Sequence, residues 1–180
     1  MRRILALSTL VLLPAPALAV GEDTATPPAM TETTQTCVGG NIWDLHDETC
    51  VPAEILTGAG EDDILYAAAR EFAYTGHYAY AAKALAAMSD QSEGRVLTYW
   101  GFLNRKTGDL KESERFYLAA IDADPDNLLA RSYYGIGAAA NGDLDTANAQ
   151  LVEIRNRGGQ GSWPYLALKR AIGNGGLAGY

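Results

Sequence analysis

The sequence predicts an all-α chain of stacked helical hairpins behind a small, separate N-terminal portion. Three observations predict it. A tight-turn signature recurs as Gly76-His77-Tyr78, Gly108-Asp109-Leu110 and Gly142-Asp143-Leu144, at steps of 32 and 34 residues. Small residues bracket each turn at a separation of 12: Ala69 and Ala81, Gly101 and Ser113, Gly135 and Ala147. Apolar residues between the turns fall at three- and four-residue steps, as in Phe116, Ala119, Ala120 and Ala123. One such hairpin cannot bury its apolar face alone, whereas several stacked together make a continuous core.

Residues 1–19 read as a signal peptide. Arg2 and Arg3 give a charged start, Ile4 to Leu13 is an apolar run too short to span a bilayer comfortably, and Ala17-Leu18-Ala19 is a small-x-small cleavage pattern. Cleavage is expected after Ala19, and an uncleaved anchor is the competing reading. The Arg pair lacks the fuller context of a twin-arginine signal, and no Cys opens the mature chain to carry a lipid anchor. The expected product is soluble, exported to a bacterial periplasm, and not inserted in the membrane.

Net charge is -8, and removing Arg2 and Arg3 takes Lys+Arg from 14 to 12 against 22 acids, or -10. So acidic a chain argues against nonspecific binding to nucleic acid or anionic lipid. Residues 20–36 are rich in Thr, Pro and acids with little to bury, and are expected to be a flexible leader.

Residues 37–52 form a loop between Cys37 and Cys50. Two cysteines in an exported chain predict one disulfide, which constrains the unfolded chain by about 3 kcal/mol. Gly39-Gly40 permits a turn, and Ile42 and Trp43 supply apolar cover. His46, Asp47 and Glu48 are ligand types but lack zinc-site spacing, so no metal is expected. An exposed Trp43 serving as a contact residue is a second reading of this loop.

After a connector with Gly58 and Gly60, the pattern predicts helices over about 61–75, 77–88, 93–107, 109–123, 126–141 and 143–156. Glu61, Asp62 and Asp63 favour the first helix start, and Asp109 with Glu112 makes a capping-box pattern. Pro125 stops the fourth helix. Residues 162–173 predict a last, capping helix, with Ser162 as its cap and Pro164 in the first turn.

The middle unit carries Trp100-Gly101, Gly108-Asp109, Tyr117, Ala120 and Pro125, and the third keeps Gly135, Gly142-Asp143 and Ala147. In these residues, residues 61–157 resemble the tetratricopeptide repeat (TPR) family. Ser113 stands where the family usually has Ala, and the first unit, with Ala69, Gly76, Tyr78 and Ala81, is two residues short. The resemblance implies three hairpins in a short right-handed solenoid, with a concave groove lined by the first helix of each unit. It places in that groove Asp63, Tyr66, Arg70 and Ala73, then Arg95, Thr98, Phe102 and Arg105, then Leu129, Ser132, Ile136 and Ala139.

No nucleophile elbow, phosphate loop or zinc-protease motif occurs, so neither catalysis nor a cofactor is expected. The resemblance instead implies a periplasmic adaptor that binds a protein or peptide segment. Arg70, Arg95 and Arg105 would supply charge, Tyr66 and Phe102 contact area, and Thr98 and Ser132 would lie in the same groove. These Arg residues read equally as solvated surface cations. The alternative function is a structural component of an envelope complex, acting through self-association or end-surface docking. A more distant one is an enzyme or a binder of cell-wall material.

Overall fold

A computed structural model describes residues 27–175; the expected signal peptide, the first seven residues of the expected leader and the last five residues of the chain lie outside the described residues. The chain is mostly helical, as expected, and carries the Cys37–Cys50 disulfide. Eight α-helices are described: α1 (Glu32–Gln35), α2 (Asp62–Tyr74), α3 (Tyr78–Ala87), α4 (Gly94–Thr107), α5 (Leu110–Ala123), α6 (Leu128–Ala140), α7 (Leu144–Asn156) and α8 (Trp163–Gly173). Between α1 and α2 lie strands β1 (Ile42–Asp44) and β2 (Thr49–Val51) and a 3-10 turn at Ala53–Ile55.

Helices pack in sequential pairs: α2 on α3, α4 on α5, and α6 on α7. Neighbouring pairs touch through α3 and α4, then α5 and α6, while α2, α4 and α6 also meet one another. Helix α8 lies on both α6 and α7. The turns repeat one device. At the end of α4, Gly108 adopts φ +96°, Asp109 N donates to Asn104 O at 2.9 Å, and Gly108 N donates to Arg105 O at 3.3 Å. That is a Schellman closure, and glycine suits it because a Cβ would clash there. The same pair of bonds closes α2 and α6. Asp109 and Asp143 then accept from the N–H groups of Glu112 and Thr146, which caps α5 and α7. Glu112 does not complete the box; its carboxylate pairs with Arg115 instead.

Small residues permit close approaches between helices. A Cβ on Gly101 would fall 2.6 Å from the Tyr117 ring, and Ser113 Oγ donates to Gly101 O at 2.8 Å. Gly135 gives the same clearance to Leu168 of α8. Around these contacts Tyr99, Tyr117, Tyr133, Phe102, Leu65, Leu129 and Ile136 are fully buried.

The N-terminal portion departs from expectation. Its last residues, read from sequence as flexible leader, form α1 and dock on α2. The cause is Glu71, a buried carboxylate that accepts from Thr31 N at 2.7 Å, from Thr31 Oγ1 at 2.6 Å and from Thr34 Oγ1. Thr33 is buried beside them and accepts from Trp43 N at 3.2 Å. The Cys loop holds an antiparallel two-stranded ribbon in which Trp43 pairs with Cys50. It is not a free loop: Ile42 is fully buried, and Gly40 lies so close to Tyr80 of α3 that a Cβ would sit 2.3 Å from the ring. These segments cover the first helix pair.

Candidate partner-binding face

Helices α2, α4 and α6 meet through aromatic rings. Tyr66 and Tyr99 make an edge contact at 5.6 Å, Tyr99 meets Phe102 at 5.8 Å and Tyr133 at 6.2 Å, and Phe102 stacks on Tyr74 at 5.8 Å. Trp163 at the start of α8 joins Tyr74 and Tyr133. Aromatic pairs of this kind add stabilisation beyond their buried area. Their polar ends are tied within the ladder: the Tyr74 and Tyr133 hydroxyls lie 2.7 Å apart, and Arg70 Nε donates to Tyr99 Oη at 3.3 Å. Burial pushes the Tyr99 phenol above its ordinary pKa, with Arg70 opposing. Burial does the same, more strongly, at Tyr133.

Two of the expected cations converge on one ring. The Arg70 and Arg95 guanidinium carbons lie 5.7 Å and 4.9 Å from the Tyr66 centroid, a cation–π arrangement on each. Arg95 also pairs with Asp63 at 2.6 Å and Glu93 at 2.6 Å. For Arg70, burial disfavours the charge, but the Tyr99 and Tyr66 oxygens outweigh it and hold the pKa above the ordinary value. Beside Arg95 opens a cleft of about 200 Å³, lined by Tyr66, Thr98, Asp124, Asp126, Asn127, Leu128 and Leu129.

The other expected groove residues are buried or set apart, although Thr98 also lines the cleft beside Arg95. Thr98 and Ser132 are fully buried ties: Thr98 Oγ1 donates to Gly94 O at 2.7 Å and accepts from Asn127 at 3.1 Å, while Ser132 Oγ donates to Pro164 O at 2.7 Å. Phe102 is buried, with Arg105 and Lys106 each 5.5 Å from its ring. Arg105 turns into a different cleft, against α5 and α6. The structure therefore gathers Tyr66, Arg70 and Arg95, buries Thr98, Phe102 and Ser132, and sets Arg105 apart.

Sequence reasoning missed Tyr74 and Trp163, the half-buried aromatics that extend the face. Tyr74 is four residues after Arg70 and so shares its helix face, a signal available in the sequence. Trp163 had no such signal, because its position depends on how α8 docks. Among the described residues no group of three or more His, Cys, Asp or Glu is placed to hold a metal, and no helix is long and apolar enough to cross a membrane. Comparison with protein-family models, with curated proteins and with solved structures finds no match.

Proposed function

We propose that the chain is a TPR-like adaptor, exported to the periplasm, that binds a partner segment on the face where Arg70 and Arg95 flank Tyr66. The observation that carries this reading is the convergence of two guanidinium groups on one aromatic ring in a chain of net charge -8. Cations so placed favour a carboxylate, which Arg binds in bidentate fashion. The adjoining cleft offers Tyr66, Leu128 and Leu129 to a side chain next to that carboxylate, with Thr98, Asn127, Asp124 and Asp126 forming a polar part of its lining. Asp63 and Glu93 both hold Arg95, and a partner carboxylate would replace the largely exposed Asp63 while Glu93 stays in place. Support for the TPR-like architecture comes from sequential helix pairs, the repeated Schellman turns and the small residues at the pair contacts. Support for export comes from the disulfide, which belongs to an oxidising compartment.

The reading is tested by fluorescence polarisation with short peptides ending in an aromatic residue and a free carboxylate, against the same peptides amidated. Binding that needs the carboxylate, weakens with salt and falls about tenfold or more in Arg70→Gln and Arg95→Gln supports it. Equal binding of amidated peptides argues against it.

A second reading, assembly through an outer face, has its own observation. Leu110 and Leu118 of α5 are exposed, and so are Leu144 and Val152 of α7, each pair related by a step of 34. A concentration-dependent mass in light scattering that Leu118→Glu and Val152→Glu abolish favours this reading over the adaptor.

A further inference from the structure

Helix α8 begins on the candidate partner-binding face. Trp163, its first residue, meets Tyr74 at 6.1 Å and Tyr133 at 6.2 Å. At the other end of its 11 residues the helix closes: Asn174 N donates to Arg170 O at 3.0 Å, and Gly175 N donates to Ile172 O at 3.1 Å. Gly175 takes φ +59°, and a left-handed glycine at that place turns the chain out of the helix axis. Beyond it the sequence continues as Gly176-Leu177-Ala178-Gly179-Tyr180, outside the described residues.

Reach and chemistry both fit that segment to the face. A helix of 11 residues is about 16 Å long, while residues 174–180 extend to about 23 Å, so Tyr180 can return to the level of Trp163. The face presents the half-buried rings of Tyr74 and Trp163 beside the two guanidinium groups that flank Tyr66. Rings of this kind favour a further ring, stacked or edge-on, and a guanidinium favours an aromatic face. Tyr180 is the one aromatic side chain outside the described residues; residues 1–26 contain none. Residues 174–180 also carry no charged side chain, so none is desolvated when they cover an apolar surface.

We infer that residues 176–180 fold back along α8 and set the Tyr180 ring against Tyr74 and Trp163, as the chain's own occupant of this face. The inference deepens the partner-binding reading and rests on it for one consequence: tail and partner segment exclude each other. A short tether holds the tail at an effective concentration of about 1 mM. With an intrinsic dissociation constant of about 0.1 mM, such a tail lowers a partner's apparent affinity about tenfold. The face is then a guarded site, open to segments that outbid a weak internal ligand.

The test reads Trp163 as the sole tryptophan, with Trp43→Phe and Trp100→Phe in place, by acrylamide quenching of the full chain. Stopping the chain after Gly175, or Tyr180→Ala, is expected to unshield Trp163 and move its emission to the red. Tyr180→Phe keeps the ring and should stay shielded. The peptide Gly-Leu-Ala-Gly-Tyr, added at about 1 mM to the shortened chain, is expected to restore the shielding. Peptides ending in an aromatic residue and a carboxylate should bind the shortened chain about tenfold tighter than the full one in fluorescence polarisation. Circular dichroism of each variant establishes that it is folded. Quenching unchanged in the folded shortened and Tyr180→Ala chains overturns the inference, whatever peptides bind. Equal peptide affinities of the full and shortened chains overturn the competition. Trp163 unshielded only when residues 20–26 are removed, or a mass that halves on shortening, also overturns it, as a leader contact or a tail shared between copies. Shielding by the tail, with no such peptide bound to the shortened chain, supports the tail's place and overturns the partner-binding reading alone.

Discussion

Alanine at position 101 places a methyl carbon 2.6 Å from Cδ1 and Cε1 of Tyr117. The ring cannot retreat cheaply: Tyr117 is 1% exposed, and its ring already meets Tyr133 at 6.3 Å. Overpacking of this kind costs about 1–3 kcal/mol. Alanine in place of a mid-helix glycine returns about 1 kcal/mol. The net expectation for Gly101→Ala is a loss of about 1 kcal/mol. Gly137→Ala is the matched control, because its Cβ meets only Arg105 Cδ at 3.4 Å, an ordinary contact. That variant should gain about 0.5–1 kcal/mol from the helix term alone. The two variants should thus differ by about 2 kcal/mol in urea unfolding followed by circular dichroism, or several degrees in Tm. Adding Tyr117→Leu to Gly101→Ala should recover part of the loss, read as a coupling in a double-mutant cycle. A Gly101→Ala protein as stable as Gly137→Ala would refute the close approach of α4 and α5 as the reason for glycine there.

Glu71→Ala removes the acceptor of three bonds from Thr31 and Thr34, the two from Thr31 at 2.7 Å and 2.6 Å. It should cost about 2 kcal/mol and speed amide exchange across residues 31–36 first, which hydrogen-exchange mass spectrometry reads directly. Paired Cys37→Ala and Cys50→Ala, across a separation of 13 residues, should lower unfolding stability by about 3 kcal/mol if the loop's closure entropy is the main term. Asp143→Ala removes the cap of α7 and should cost about 1 kcal/mol in the same denaturation assay. In alkaline titration, Tyr134 is pushed up to about 12 by burial and its bond to Glu114, and Tyr99, Tyr117 and Tyr133 are raised as well. Raised phenol pKa values mean that this stability is complete below about pH 10 and is lost as pH rises through the folded values. Absorbance at the phenolate band should therefore lag free tyrosine until the fold opens, and coincident titration with free tyrosine would contradict the burial.

The repeating part was legible because its causes are local. Gly76, Gly108 and Gly142 mark backbone positions that only a glycine adopts easily, and helix bounds read from them lie within two residues of the observed ones. Gly101 and Ser113 signalled a close approach because small side chains at a fixed spacing have few other purposes. The N-terminal portion was not legible. Glu71 looks like one more solvated helix acid, and nothing near Thr31 in sequence announces a partner 40 residues away. The candidate partner face was legible in part for a similar reason. Repeat spacing identifies the first helix of each pair, but whether a residue on it is covered depends on the neighbouring pair and on α8. Ser132 is thus turned into a tie to Pro164, and Arg105 lines a cleft against α5 and α6 instead of joining Arg70 and Arg95.

The central claim is that one face, marked by Arg70 and Arg95, holds a partner segment. In-cell crosslinking of the wild-type chain beside an Arg70→Glu and Arg95→Glu double variant, with mass spectrometry of the captured peptides, tests it most directly. Circular dichroism shows that the variant is folded. The account predicts a crosslinked segment rich in acidic groups or ending in a carboxylate, mapped next to Tyr66, Tyr74 or Trp163 and lost from the variant. The same crosslinks persisting in the folded variant, or only contacts between copies through Leu118 and Val152, would contradict it.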